Sequence, residues 1–154
     1  MRPTPPVWRS ILYVPGNVPK FIDKAHERGA DCVLVDLEDS VQPAQKPEAR
    51  AMLAETMSKV ARHGADVAVR INRPMRLAIA DIEAAVRPGL SALFVTKTES
   101  VQHLRLLDEA VTELEKEPRP SAWACLSASI SLRAWATSSG VGVNASFNAV
   151  TRPG

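Results

Sequence analysis

Five charged residues sit within or just after short apolar runs. Asp36, Glu38 and Asp39 place three carboxylates within four positions directly after Cys32-Val33-Leu34-Val35. Such a cluster can bind a divalent cation directly or through its waters, or can be a solvated loop that caps the next helix. If the strand continues, Asp36 and Glu38 point to one face. Arg70 lies inside Val67-Ala68-Val69-Arg70-Ile71, where an unpaired charge is costly. Its guanidinium must face a carboxylate or phosphate, from the protein (Asp36 or Glu38) or from a ligand. Lys97, just after Ala92-Leu93-Phe94-Val95, reads as a buried catalytic or structural ammonium with Glu38 or Glu99 as its partner. His26, His63 and His103 fall on helix positions away from strand ends and read as surface residues. No nucleophile has a base at motif spacing. The glycines form neither a GxGxxG nor a Walker loop, which disfavours dinucleotide and nucleoside triphosphate binding.

The elements that must position these residues repeat along the chain. Ile11–Val14 is a buried strand ended by Pro15-Gly16. Asn17 is placed to cap a helix with Pro19 in its first turn and Phe21, Ile22 and Ala25 on one apolar face, stopped at Gly29. After strand Cys32–Val35, a helical spacing links Ala49, Met52, Leu53, Thr56, Met57 and Val60, closed by Gly64. Strand Val67–Ile71 precedes a helix over Ala78–Val86, and strand Ala92–Val95 precedes a helix marked by Val101, Leu104, Leu107, Val111 and Leu114. Strands that are apolar throughout, alternating with helices, predict a parallel sheet covered by helices. An open doubly wound sheet fits the length, and periodicity alone favours it. A complete (β/α)8 barrel takes about 250 residues, so 154 residues hold about half of one.

Composition narrows the classes. The longest uninterrupted apolar run, Ala122–Leu126, is five residues, far short of the roughly 20 that span a bilayer. Met1–Ser10 holds three prolines and no apolar h-region, so no secretory signal is read there. Cys32 and Cys125 make neither a disulfide framework nor a metal spacing, and a cytoplasmic location is expected. A net charge of +2 gives no reason to expect nucleic acid. The acids are unevenly placed: all 17 lie at or before Glu117, and Pro118–Gly154 contains none. Seven of the twelve serines follow Pro120, so the composition changes near residue 118. Ser121–Trp135 allows a strand, and Thr137–Gly154 has no period and is expected to be irregular.

Four linked motifs over about residues 9–116 resemble the HpcH/HpaI aldolase superfamily, which includes the citrate lyase β-subunit and malyl-CoA lyases. They are Arg9–Asn17 with Pro19-Lys20; Gly29-Ala30-Asp31 with Val35–Val41, Lys46 and Ala49-Arg50; Val69-Arg70-Ile71-Asn72; and Arg87-Pro88-Gly89 with Lys97–Ser100. The resemblance implies a (β/α)8 barrel that uses Mg2+ to cleave a 3-hydroxyacyl thioester, such as citryl-, malyl- or citramalyl-CoA, reversibly into an acyl thioester and a 2-oxo acid. It implies an acyl-CoA or acyl-carrier-protein thioester as substrate, and commonly a homotrimer or homohexamer. It places Arg70 as the arginine that clamps the acid portion. Tyr13 and Lys24 lie where malyl-CoA lyases contact the CoA portion, although another basic contact of that subgroup falls on uncharged Val18. Asp36, Glu38 and Asp39 match an acidic motif beside the metal without ligating it, while Lys97 and Glu99 belong to the polar rim of the barrel.

The direct metal ligands implied by the resemblance are a Glu at the end of strand five and an Asp after strand six. No acid follows Glu117 to fill either role. The expected organisation is therefore an N-terminal half-barrel over residues 1–118 and an anomalous acid-free tail over 119–154, as a truncation or frameshift would produce. Such a chain is expected to be an inactive lyase, acting at most as an acyl-CoA-binding or subunit-pairing fragment.

Overall fold

The four apolar runs form four parallel strands, each followed by a helix, and a fifth strand extends the sheet. A computed structural model describes residues 7–116 and 131–134. The strands are β1 (Ile11–Pro15), β2 (Cys32–Asp36), β3 (Asp66–Ile71), β4 (Ala92–Val95) and β5 (Ser131–Ala134). The helices are α1 (Pro19–Ala25), α2 (Lys46–Val60), α3 (Met75–Ala85) and α4 (Val101–Lys116). β5 falls within the stretch that the sequence allows as a strand and pairs in parallel with β4. The expected domain boundary at 118 and the irregular stretch from Thr137 lie outside the described residues.

Strand order decides between the two architectures. The order is β1-β2-β3-β4-β5, every neighbour parallel. A doubly wound sheet reverses its order at a switch point and carries helices on both faces. Here one core joins Val14, Val33, Val35, Val67, Val69, Leu93 and Val95 to apolar residues of all four helices. All helices therefore cover one face, and the winding is that of a (β/α) barrel rather than the open sheet that periodicity favours. Alternate strand residues turn to the other face, where Cys32, Leu34, Ala68, Ala92 and Phe94 form a second buried cluster. Trp8 packs against that cluster, its ring 6.2 Å from that of Phe94. Among the described residues no helix is long and apolar enough to cross a membrane.

Local details at α1 depart from expectation. Val18 is its N-cap and makes no side-chain cap, while the Asn17 amide donates instead to Gln45 Oε1 at 3.1 Å. Pro19 starts the helix, where its missing N–H costs nothing. Ile22 and Ala25 face the core, but Phe21 is exposed. Phe21 and Ile22 are adjacent, about 100° apart around the helix, so the face that buries Ile22 and Ala25 leaves Phe21 outside it.

Gly16 matters because strand β2 lies against it. Its N–H donates to the Asp36 carbonyl at 2.9 Å. An added Cβ would stand 2.9 Å from Leu37 Cδ2 and 3.0 Å from the Asp36 carbonyl oxygen. Gly16→Ala is expected to lower stability by about 1–3 kcal/mol, read from the urea midpoint, because backbone and a packed leucine must both give way.

Candidate functional site

The charged residues converge at the C-terminal ends of β2, β3 and β4, where parallel α/β folds place their ligands. Asp36 and Arg70 are register partners on adjacent strands. The Arg70 guanidinium donates from Nε to Asp36 Oδ1 at 2.7 Å and from Nη2 to Oδ2 at 2.6 Å. This planar fork decides between a protein and a ligand partner: the protein itself supplies a carboxylate for Arg70. Asp36 also accepts the N–H groups of Glu38 (2.8 Å) and Ser40 (3.0 Å). Burial on its own pushes the Asp36 carboxyl up; the Arg70 and Ser40 hydrogen bonds and the Glu38 amide outweigh it and hold the group below the ordinary range. The same bond to Asp36 holds the Arg70 proton more tightly than usual.

The remaining guanidinium nitrogen faces looser partners. Arg70 Nη1 lies 3.4 Å from Glu38 Oε2 and 3.6 Å from Asp39 Oδ2. Leu37 packs into the helix-side core while Asp36 and Glu38 both reach Arg70, so strand alternation persists past β2. The Tyr13 ring lies 5.5 Å from Arg70 Cζ, within cation–π range, and Tyr13 is 55% exposed. Lys24 is exposed on α1, and among the described residues no ion pair joins it to the Arg70 cluster.

Lys97 corrects the expectation of a buried ammonium. Its side chain is half-exposed, with Nζ 2.9 Å from both Glu38 Oε1 and Asp39 Oδ1. Those carboxylates, Glu38 first, raise its pKa. Glu38 is one of the two partners expected, but Glu99 instead pairs with Arg73 at 2.7 Å. Lys97 has a positive φ of 55°, a left-handed conformation that favours glycine. The strain is held at the strand end where the ammonium bridges two carboxylates.

His103 is a second correction, being buried near the start of α4. Neither ring nitrogen has a hydrogen-bond partner among the described residues. Burial, then the Arg73 charge, lowers its pKa from 6.5. The folded chain thus resists a proton that the unfolded chain accepts. Stability is expected to fall as pH drops through about 6.5 toward the lower folded value, in a window well above that of Asp36. His103→Leu is expected to remove this pH dependence and to raise stability by about 1 kcal/mol, measured by urea unfolding at pH 7 and pH 5.5.

Beneath the acidic loop lies a polar network that spacing did not single out as a site. Lys46, in the first turn of α2, is buried and donates to the carbonyls of Leu37 (2.9 Å) and Glu38 (2.7 Å). Asn72 Nδ2 donates to the same Leu37 carbonyl at 2.8 Å and to Asp81 Oδ2 at 2.7 Å. Asp81, fully buried on α3, also accepts the Asn72 N–H at 2.8 Å and Arg50 Nε at 2.7 Å. The signal available was Asp81 on the core face of an amphipathic helix, beside buried Ala78, Ile82 and Ala85. A charge in that stripe demands a partner.

Asp36, Glu38 and Asp39 are engaged by Arg70 and Lys97. Among the described residues no group of three or more His, Cys, Asp or Glu is arranged to hold a metal ion. Directly ligated Mg2+ therefore does not fit this part of the site.

The sequence profile of the HpcH/HpaI aldolase/citrate lyase family matches residues 9–145, running past the compositional change at 118. The citrate lyase subunit beta of Leuconostoc mesenteroides is 34% identical over 110 residues, covering 71% of this chain and 36% of that protein. The mitochondrial citramalyl-CoA lyase of Homo sapiens is 33% identical over 100 residues, covering 63% of this chain and 29% of that protein. The chain thus spans about a third of the length of the curated relatives it matches. The malate synthase of Haloferax volcanii superimposes with a TM-score of 0.68 at 18% identity, over 85% of this chain and 43% of that one. This likeness concerns the fold alone and agrees with barrel winding. Profile, relatives and strand-end motifs converge: the chain belongs to the HpcH/HpaI aldolase/citrate lyase family.

Proposed function

We propose that this chain carries the acid-recognition part of a carbon–carbon lyase site of the citrate lyase β, malyl-CoA or citramalyl-CoA type. The observation that carries the reading is Arg70, anchored through Nε and Nη2 by Asp36 with Nη1 facing only looser partners. A guanidinium locked on one edge presents a fixed direction on its other edge. It is suited to orient a small carboxylate at the strand ends.

The proposed reaction breaks the C2–C3 bond of a 3-hydroxyacyl thioester. The C3 hydroxyl loses its proton and becomes the keto oxygen of a 2-oxo acid, while the thioester enolate takes a proton at C2. Arg70 holds the acid portion, and the exposed Tyr13 ring beside it borders the thioester side. Lys24 is assigned to the CoA portion. Lys97 offsets one of the two charges of Glu38 and Asp39, which weakens their repulsion of an acid group at Arg70. Glu99, paired with Arg73, belongs to the rim. Asp36, Glu38 and Asp39 organise these cations rather than ligating Mg2+.

We assign no turnover to these 154 residues alone, because no acid follows Glu117 to supply the metal ligands that the family resemblance implies. The test uses the purified chain with Mg2+ and malyl-CoA or citramalyl-CoA. The expected result is no acetyl-CoA released, together with saturable binding of a 2-oxo acid that Arg70→Ala abolishes. Acetyl-CoA release sensitive to Arg70→Ala would overturn the assignment of no turnover. Binding indifferent to Arg70→Ala would overturn the acid-recognition reading.

A further inference from the structure

We propose that Lys46 and Asn72 are positioning residues, holding the Glu38 and Asp39 carboxylates opposite Arg70 and Lys97 through the Leu37 and Glu38 carbonyls. The proposal rests on the acid-recognition reading above, since those carboxylates set the charge around Arg70.

Within the acidic loop the Glu38 carbonyl accepts the Val41 N–H at a long 3.3 Å, and shorter bonds come from donors elsewhere. Two of the loop's carbonyls find the same ammonium. Lys46 Nζ lies 2.9 Å from the Leu37 carbonyl and 2.7 Å from that of Glu38. Asn72 adds a second donor to Leu37 at 2.8 Å. The amide of Asn72 is itself oriented by buried Asp81, which is held in turn by Arg50. Leu37 is further pinned by its N–H bond to the Arg70 carbonyl at 3.0 Å. Residue 38 therefore has little rotational freedom, and its side chain emerges on the Arg70 face.

A buried ammonium is costly, and here burial lowers the Lys46 pKa despite nearby Asp81, Asp36 and Glu38. Pure packing would be served as well by methionine. What methionine lacks is the pair of donors that fixes the loop. Lys97 reports on the outcome, because its ammonium contacts both carboxylates that the loop carries.

The test is competitive acylation of lysine amines at neutral pH, followed by peptide mass spectrometry, on the full chain. In the parent protein Lys97 is expected to react several-fold more slowly than exposed Lys20. In Lys46→Met and in Asn72→Ala, Lys97 reactivity is expected to rise several-fold toward that of Lys20, while cooperative urea unfolding persists. A folded variant with unchanged Lys97 reactivity would overturn the positioning role, since a merely structural role lowers only stability. The parent protein offers a second measurement that needs no variant. Scalar coupling across the hydrogen bonds from Lys46 15Nζ to the Leu37 and Glu38 carbonyl carbons is expected, and its absence would sink the proposal. None of these readings involves turnover or ligand binding, so they stand apart from the test of the proposed function.

Discussion

Arg70→Ala is expected to cost about 3–5 kcal/mol of folding stability, because it strands a buried charge. Asp36 is 2% exposed, and its two oxygens accept the Arg70 fork at 2.7 and 2.6 Å. Removing the guanidinium leaves the carboxylate the Glu38 and Ser40 amides and the Ser40 hydroxyl. Replacing both partners by apolar residues of similar volume, Arg70→Met with Asp36→Leu, is expected to recover most of the loss. A double-mutant cycle in urea measures this directly. Arg70→Lys should fall between, since an ammonium cannot reproduce two parallel donors.

The pH dependence has a definite sign. The folded Asp36 carboxyl is held below its ordinary value of 3.8. Between that value and the lower folded one, the unfolded chain binds the proton and the folded chain does not. The stabilisation is therefore complete above about 3.8 and is lost as pH falls through the folded value. In Arg70→Ala the main opposing bond is gone and burial dominates, so this acid-side loss should vanish. Urea midpoints between pH 6 and pH 3 test it. The slope expected from His103 starts at pH 6.5 and runs below it, and repeating the titration in His103→Leu separates the two groups.

Asp81→Ala is the second large effect, again about 3–5 kcal/mol. The fully buried carboxylate joins Arg50 on α2 to Asn72 after β3. Its removal leaves one charge and two N–H donors without their acceptor. Against a typical total of about 5–15 kcal/mol, a loss of that size is a large share of the whole. Asp81→Asn should cost less, because one oxygen remains to accept, but it cannot satisfy Arg50 and both Asn72 donors equally. Urea unfolding of the two variants and the parent, under one buffer, gives the comparison. A loss below about 1 kcal/mol for Asp81→Ala would show that the network is not energetically coupled.

Much of the fold is legible in the order of residues alone. Four apolar runs and four helical spacings mark the strands and helices, because burial on both faces makes a strand apolar throughout and burial on one face writes a period of 3.6 into a helix. The capping of α1 is not legible in this way, since Asn17 has a competing partner in Gln45, 28 positions away. The burial of His103 is not legible either, because a helix position says nothing of what packs over it. The carboxylates, Arg70 and Lys97 are visible as charges near apolar runs. Asp81 lies in the apolar stripe of α3, which marks it as a charge in need of a partner, but that Arg50 and Asn72 are the partners is set only by packing.

The sequence by itself determined the order of strand–helix units, the strand-end charges and the family resemblance, all carried by residues close together in the chain. It also shows directly that no carboxylate side chain follows Glu117. The tertiary structure decided which way the helices lie, placing all four on one face and so selecting barrel winding. It also decided which charges meet: Arg70 with Asp36, Lys97 with Glu38 and Asp39, and Glu99 with Arg73. These partners lie far apart in the chain and are joined only by parallel register and strand-end loops. Periodicity reports whether a residue is buried; it does not report its neighbour across the sheet, and ionic chemistry depends on that neighbour.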